Sequence, residues 1–246
     1  MQQLIAEAAG RLAGARCLAV LTGAGVSKES GLATFRDPEQ GLWARYDPMQ
    51  LATIEGFHRD PKLVWEWYEH RFGLARSARP NPGHLAIAAL EKLGPKVTVI
   101  TQNIDGLHQA AGSTDVIELH GSILRHRCLR GHCGFDWSDV LEQGQMPPHC
   151  PRCQALLRPE VVWFGEALPE RELERAFELS ESCDAMLVVG TSGVVQPAAS
   201  LPFVAARAGA LVIDVNPERT PISALADIYL EGAGGVVLPQ LLEALR

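Results

Sequence analysis

T-G-A-G-V-S-K-E-S-G-L-A-T-F-R-D, residues 22–37, decides the fold. Immediately before it runs C-L-A-V-L, residues 17–21, an apolar segment of the length and composition of a buried strand. Gly23, Gly25 and Gly31 stand among Ser27, Ser30 and Thr34. A buried strand that enters a Gly-rich turn and then a helix start is how α/β proteins hold a phosphate. Glycine lets the backbone approach the anion, and the free N–H groups of the helix N-terminus point at it. The spacing is not G-x-G-x-x-G, so the turn taken alone is equally an ordinary strand-to-helix connection.

The elements around this turn decide between those readings. Residues 2–14 place Leu4, Ile5, Ala8, Ala9 and Leu12 at helical spacing. Further apolar runs at 97–101, 116–119, 185–189, 210–214 and 227–230 read as strands. Helical patterns occupy 84–93, 169–181 and 198–208, and a last one carries Leu238, Leu241, Leu242 and Leu245. Continuous apolar strands alternating with helices predict an α/β fold with a parallel, Rossmann-like sheet of six strands covered on both faces. Two stretches break the alternation. Residues 38–95 are aromatic-rich and helical, with Trp43, Tyr46, Phe57, Trp65, Trp67, Tyr68 and Phe72 between prolines. Residues 121–160 show little periodicity and hold four paired cysteines. The expected organisation is a Rossmann-like domain of residues 1–37, 96–120 and 161–246. The helical insertion 38–95 and the metal-binding module 121–160 then build a smaller domain.

Composition narrows the function classes. The 246 residues are 47% hydrophobic and 21% charged, an ordinary globular balance. A net charge of −7 argues against coating nucleic acid or an anionic membrane. Residues 121–160 carry five Arg against four Asp or Glu, too little for a phosphate-binding zinc ribbon. The longest apolar runs reach about five residues, far from the roughly 20 a membrane helix needs. Glu7 interrupts the N-terminal stretch where a signal peptide is apolar, so a cytoplasmic location is expected.

Cys17 and Cys183 adjoin strand-like runs and are expected as buried thiols. Cys128-x4-Cys133 and Cys150-x2-Cys153 are two knuckles separated by 16 residues, a spacing that can close a tetrahedron around Zn²⁺. Four protein thiolates leave no position for water, so the ion would be structural. His126, His132 and His149 nearby read as surface side chains rather than ligands. Four further motifs sit where strands end. T-Q-N-I-D-G-L-H, residues 101–108, can bind a ribose or an amide, or cap a helix. In E-L-H-G, residues 118–121, His120 can be a general base, since imidazole titrates near neutrality, or a packed structural histidine. G-T-S-G at 190–193 and D-V-N-P-E at 214–218 can hold a phosphate and a ribose, or form plain turns. Together with the opening turn, five polar signatures fall at the C-terminal ends of one predicted sheet, where chance would scatter them over both edges.

With these residues in view the chain resembles the sirtuins, NAD-dependent protein lysine deacylases. The resemblance rests on G-A-G-V-S-K-E-S-G at 23–31 with T-F-R at 34–36, T-Q-N-I-D-G-L-H at 101–108, H-G at 120–121 and both cysteine pairs. V-V-W-F-G-E at 161–166, G-T-S at 190–192 and N-P-E at 216–218 complete it, in family order over nearly the whole chain. It implies NAD as co-substrate, one structural Zn²⁺ on Cys128, Cys133, Cys150 and Cys153, and acyl-lysine proteins or peptides as partners. Nicotinamide would be released and the acyl group carried off as O-acyl-ADP-ribose. By position, Gly23, Ala24, Gly25, Ser27, Phe35 and Arg36 would form the loop over NAD. Gln102, Asn103, Ile104 and Asp105 would line the nicotinamide and ribose region, with Asn103 ordering water. Gly190, Thr191, Ser192, Asn216 and Ala233 would take the phosphates and adenosine. His120 would be the general base, and Trp163, Phe164 and Gly165 would pair with the substrate backbone.

Tyr68-Glu69-His70-Arg71 places a tyrosine and an arginine three apart on one helix face. It is similar to the Tyr-x-x-Arg of sirtuins that remove succinyl and malonyl groups, which also carry an alanine where Ala52 stands, 16 residues before the tyrosine. Arginine binds a carboxylate bidentately and tyrosine adds a hydroxyl, whereas an acetyl pocket wants apolar walls. The expectation is therefore a deacylase favouring succinyl and malonyl groups. A plain deacetylase and an NAD- or ADP-ribose-binding protein with transferase activity are the alternatives. Lys28 and Ala33 depart from the residues common in the family, within the NAD loop.

Overall fold

A computed structural model describes residues 1–33, 47–131, 133–134 and 146–246. Thr34, Phe35, Arg36, Trp43, Tyr46 and His132 lie outside the described residues. The chain opens with α1 (Gln2–Leu12), β1 (Cys17–Thr22) and a 3-10 helix (Ala24–Ser30). It continues through α2 (Pro48–Leu51), α3 (Ile54–Arg59), α4 (Pro61–Ser77), α5 (Pro82–Leu90), β2 (Lys96–Thr101), α6 (Leu107–Ala111) and β3 (Val116–Glu118). Then follow β4 (Gly121–Cys128), β5 (Leu157–Val161), α7 (Glu170–Ser182), β6 (Ala185–Val189), α8 (Leu201–Arg207), β7 (Leu211–Asn216), β8 (Ile228–Glu231) and α9 (Gly234–Ala244).

The six predicted strands form one sheet in the order β3-β2-β1-β6-β7-β8, with every pairing parallel. Strands so placed need apolar residues on both faces, and β1 has them. Leu18 and Val20 enter the core shared with α1, α5 and α9, while Ala19 and Leu21 enter the core shared with α7 and α8. Burying a side chain such as Leu21, which is fully buried, contributes roughly 1.5–3 kcal/mol. The chain leaves β1 toward β2 and β3 on one side and returns to β6, β7 and β8 on the other. The strand order therefore reverses between β1 and β6, and open parallel sheets bind ligands outside such a reversal.

A third core lies apart from these two. Leu51, Phe57, Val64, Trp65 and Tyr68 from α2, α3 and α4 pack with Ile123, Leu157, Val161 and Trp163 from the β4–β5 region. Helix α4 begins where Asp60 accepts from the Leu63 amide at 3.0 Å and Pro61 supplies its fixed φ. In residues 121–160, which the sequence shows as irregular, β4 and β5 pair antiparallel. Their alternation is hidden because the register shifts between Ser122 and His126, which breaks the period of two. Gly121 starts β4 at φ +75, where an added Cβ would lie 2.1 Å from the Glu160 carbonyl oxygen. Two smaller expectations are corrected. Cys17 at the strand's exposed start is half-buried rather than buried, and His126 stacks on Trp65 at 5.1 Å instead of facing solvent. Among the described residues, no helix is long and apolar enough to cross a membrane.

Candidate functional site

The Gly-rich turn after β1 and the turn after β6 touch. The Gly23 amide donates to Val189 O at 3.1 Å and the Gly25 amide to Gly190 O at 2.8 Å. A Cβ on Gly25 would fall 2.7 Å from that same oxygen, so only glycine permits the approach. Ala24 follows Gly23 into the 3-10 helix, which carries the buried Ser27 over the end of β2. There Ser27 Oγ donates to Asp105 Oδ2 at 2.7 Å, and Asn103 Nδ2 donates to Ser27 Oγ at 3.0 Å and to Gly23 O at 3.1 Å. Asp105 Oδ1 accepts the Leu107 amide at 2.9 Å, which fixes the carboxylate at the start of α6. Hydroxyl, amide and carboxylate groups held this way suit a ribose diol and a carboxamide, which is what a nucleotide co-substrate offers.

Beneath them lie two histidines that sequence reading did not single out. His84 Nε2 is 3.4 Å from Ser27 Oγ, and His108 Nε2 is 2.9 Å from Thr22 Oγ1. Burial lowers both pKa values, that of His108 to about 3, so both rings are neutral. Their signal in sequence is faint, since the spacing of a helical histidine does not say what lies above it.

Along the sheet edge, Gln102 Nε2 donates to Thr191 Oγ1 at 3.0 Å and Asn216 Nδ2 to Thr191 O at 2.8 Å. These contacts join the ends of β2, β6 and β7 into one polar rim that also holds Gly190 and Ser192. Ala233 lies beyond β8 at the start of α9, accepting the Val236 and Val237 amides.

A cavity of about 380 Å³ opens from this rim toward the third core. Ala24, Ser27, Gln102, Asn103, Ile104, Asp105 and His120 line it together with Ala52, Tyr68, Arg71, Trp163, Phe164 and Gly165. Gly23, Gly25, Gly190, Thr191, Ser192, Asn216 and Ala233 stand outside it along the strand ends. His120 is half-buried, and its Nδ1 lies 2.9 Å from the Gln102 carbonyl oxygen. A carbonyl only accepts, so Nδ1 carries the proton and Nε2 keeps its lone pair. Burial lowers the His120 pKa and the Gln102 contact partly offsets it. The imidazole is therefore a neutral base near pH 7.

Tyr68 and Arg71 share the cavity face of α4. The Arg71 guanidinium lies 4.7 Å from the Trp67 ring centroid and 6.0 Å from that of Tyr68. Desolvation lowers its pKa, opposed by Tyr68 and Asp105, and an arginine so placed remains charged. Tyr68 is 4% exposed, and burial raises its pKa, so it holds its phenolic proton. Phe164, also on the cavity, is 54% exposed, and its amide donates to Ala52 O at 2.8 Å.

Arg158 and Glu166 are functional candidates that sequence reading passed over. Arg158 is 2% exposed in β5, but it stands in Leu157-Arg158-Pro159-Glu160-Val161, a mixed charged and apolar stretch that gives no sign of its burial. Its guanidinium forms a fork on Glu166, at 2.5 Å to Oε1 and 2.8 Å to Oε2, and donates to Val161 O at 2.8 Å. It lies 3.4 Å from the Trp163 ring centroid. Burial pushes the Glu166 pKa up, but the Arg158 and Trp163 hydrogen bonds and the charges of Arg158 and Arg127 bring it below the usual carboxylate value.

The Sγ atoms of Cys128, Cys133, Cys150 and Cys153 lie within 4.8 Å of one another, with Cys128–Cys153 at 3.5 Å and Cys133–Cys153 at 3.6 Å. A tetrahedron with Zn–S of about 2.3 Å has S···S edges of about 3.8 Å, so the four thiols fit one zinc ion. Cys128 and Cys150 are buried, and the cluster packs against the third core at the far end of the β4–β5 pair.

Comparison with known proteins agrees with this geometry. The Sir2 family profile matches residues 23–197. The chain is 52% identical over 235 residues to NAD-dependent protein deacylase 2 of Pyrobaculum aerophilum, covering 96% of this chain and 93% of that one. It is 51% identical over 239 residues to NAD-dependent protein deacylase 1 of Pseudomonas aeruginosa, covering 94% and 95%. A Sir2 homologue solved in complex with NAD superposes with a TM-score of 0.89 at 45% identity, over 98% of this chain and 93% of that chain. Sir2Af2 bound to a myristoylated histone peptide gives 0.79 at 40% identity, over 100% and 97%. From its switch-point turn to its four-cysteine cluster, the chain belongs to the Sir2 family.

Proposed function

We propose that this chain is an NAD-dependent deacylase of protein lysine side chains that favours succinyl and malonyl over acetyl groups. One observation carries the reading: a single cavity is lined both by the Ser27–Asn103–Asp105 network with His120 and by Tyr68 and Arg71. When bound, NAD supplies a ribose carbon open to attack and nicotinamide as leaving group. Asn103, Asp105 and Gln102 hold the ribose and carboxamide, and the rim through Thr191 and Asn216 continues toward the phosphates and adenosine. Phe35 and Arg36 would complete the loop over the nucleotide. Held by Gln102, His120 Nε2 takes a proton from a ribose hydroxyl.

The acyl-lysine enters past Phe164, and its acyl group reaches Tyr68 and Arg71. A terminal carboxylate there meets a guanidinium fork and a phenol, while a methyl group meets neither with profit. Trp163 and Phe164 have their amides engaged by Glu166 and Ala52, so a peptide backbone meets this segment around Gly165. The zinc holds the end of the β4–β5 pair. With four protein ligands it has no position for a reacting oxygen. The domain division at 38–95 and 121–160 suits this arrangement, since the cavity lies between the parallel sheet and the third core.

The test incubates the protein with NAD and the same peptide carrying succinyl-, malonyl- or acetyl-lysine. The expected products are nicotinamide and O-acyl-ADP-ribose, with larger kcat/KM for the two acidic groups. Absence of nicotinamide release with every peptide overturns the activity. Equal kcat/KM for all three overturns the preference alone.

A further inference from the structure

Trp163 is fixed on every side. Arg158 covers its ring at 3.4 Å, Phe57 approaches with ring centroids 5.3 Å apart, and Glu166 accepts its backbone amide at 2.9 Å. The Glu166 amide in turn donates to Trp163 O at 3.0 Å. The indole is 2% exposed and has one polar atom, Nε1, which lies 2.8 Å from the Tyr68 hydroxyl. An indole N–H donates and never accepts. The Tyr68 oxygen must therefore be the acceptor in this contact, and its own proton must point away from Trp163. The Arg71 side chain, which only donates, cannot receive that proton either.

We infer that Trp163, clamped by Arg158 and Glu166, is a specificity-determining positioning residue that sets the Tyr68 hydroxyl as a hydrogen-bond donor into the acyl end of the cavity. A donor held there rewards an acyl group ending in a carboxylate and gives nothing to one ending in methyl. Tyr68 bound to an acceptor would instead present its lone pairs and repel a carboxylate. The hydrogen bond from Trp163 also withdraws charge from the phenol, which makes Tyr68 the stronger donor. The clamp explains why a buried arginine is kept in β5: it acts through Trp163, without touching the substrate. This inference rests on the acidic-acyl reading above.

The experiment measures kcat/KM for succinyl- and acetyl-lysine peptides with wild type, Arg71→Met, Trp163→Phe, Tyr68→Phe and the Trp163→Phe/Tyr68→Phe double variant. Phenylalanine keeps an aromatic ring, though a smaller one, and removes the N–H. In wild type the succinyl substrate is expected to be preferred, and Arg71→Met to weaken that preference. Failure of both overturns the acidic-acyl reading and this inference with it. Where that reading stands, Trp163→Phe should lower the succinyl-to-acetyl ratio of kcat/KM about fivefold, the loss expected for one neutral hydrogen bond. In the Tyr68→Phe background the same substitution should leave the ratio unchanged, because the hydroxyl it acts through is gone. Equal losses on both substrates, or the same fivefold change with and without Tyr68, would show that Trp163 serves packing only. Thermal melting identifies any variant that fails to fold. In that event Tyr68→Phe decides alone, since an unchanged ratio there overturns the inference.

Discussion

Replacing Arg71 by methionine isolates the charge that the acidic-acyl reading depends on. Methionine keeps an unbranched stem of similar reach over Trp67 while the guanidinium disappears. A hydrogen bond to a charged group contributes about 1.5–3 kcal/mol, and each 1.36 kcal/mol is a factor of ten in rate, so the substitution should cost roughly 10- to 150-fold in kcat/KM for a succinyl peptide. The structure places the expectation near the lower end. Arg71 already lies against the rings of Trp67 and Tyr68 and feels the Asp105 carboxylate, so part of its charge is matched before substrate arrives. Tyr68 also remains to bind the carboxylate. We expect the succinyl-to-acetyl ratio of kcat/KM to fall by about 10- to 30-fold. Arg71→Lys should recover part of it, because an ammonium supplies charge without the planar fork. The assay follows peptide conversion by mass spectrometry under saturating NAD with both peptides. Equal loss on both substrates would refute the reasoning, since it would mean that Arg71 supports the cavity without reading the carboxylate.

Glu166→Ala leaves the Arg158 guanidinium, 2% exposed, against backbone carbonyls and the Trp163 ring with no carboxylate among its described partners. An uncompensated buried charge costs about 3–5 kcal/mol, and Glu166 is 22% exposed, so water should hold the loss to the lower end. At about 2–4 °C per kcal/mol, calorimetry should show Tm lower by roughly 6–12 °C, and no change would sink the clamp. His120 must be neutral to act, so kcat/KM should rise with pH through a midpoint below 6.5 and stay level to pH 8. His120→Asn should lower it by about 10²–10⁴, and a midpoint above 7 would contradict the burial argument. His108 has its folded pKa lowered to about 3, against about 6.5 unfolded, so below pH 6.5 the unfolded chain binds the proton that the folded one refuses. Its contribution to stability is complete above pH 6.5 and falls by about 1.4 kcal/mol per pH unit down to pH 3. His108→Gln should therefore flatten the acid limb of denaturant titrations. Elemental analysis should find one zinc per chain, and Cys150→Ser, at a fully buried ligand, should lose both the metal and the β4–β5 end's protection from hydrogen exchange.

The sheet was legible because a parallel strand buried on both faces must be apolar throughout, and the runs near residues 17, 97, 185 and 211 are. The zinc site was legible because four thiols at knuckle spacing have few other uses. The β4–β5 pair was not, because a register shift removes the alternation that announces a strand. The Arg158–Glu166 pair was not legible, because β5 mixes Arg158 and Glu160 with apolar residues and the pairing depends on how the chain bends after Val161. His84 and Ser27, 57 residues apart, meet only when α5 packs beneath the turn after β1.

The acyl pocket shows where the boundary between sequence and structure falls. A three-residue spacing says that Tyr68 and Arg71 share a helix face, and their chemistry says that a carboxylate would suit them. It does not say whether the Tyr68 hydroxyl gives or takes a hydrogen bond. That is settled by an indole 95 residues further on, clamped by Arg158 and Glu166. A Tyr-x-x-Arg pair on the same helix, set against a phenylalanine in place of Trp163, would offer a hydroxyl free to turn either way. On this reasoning the motif alone underdetermines acyl preference, and the direction of one proton, imposed from outside the motif, is what completes it.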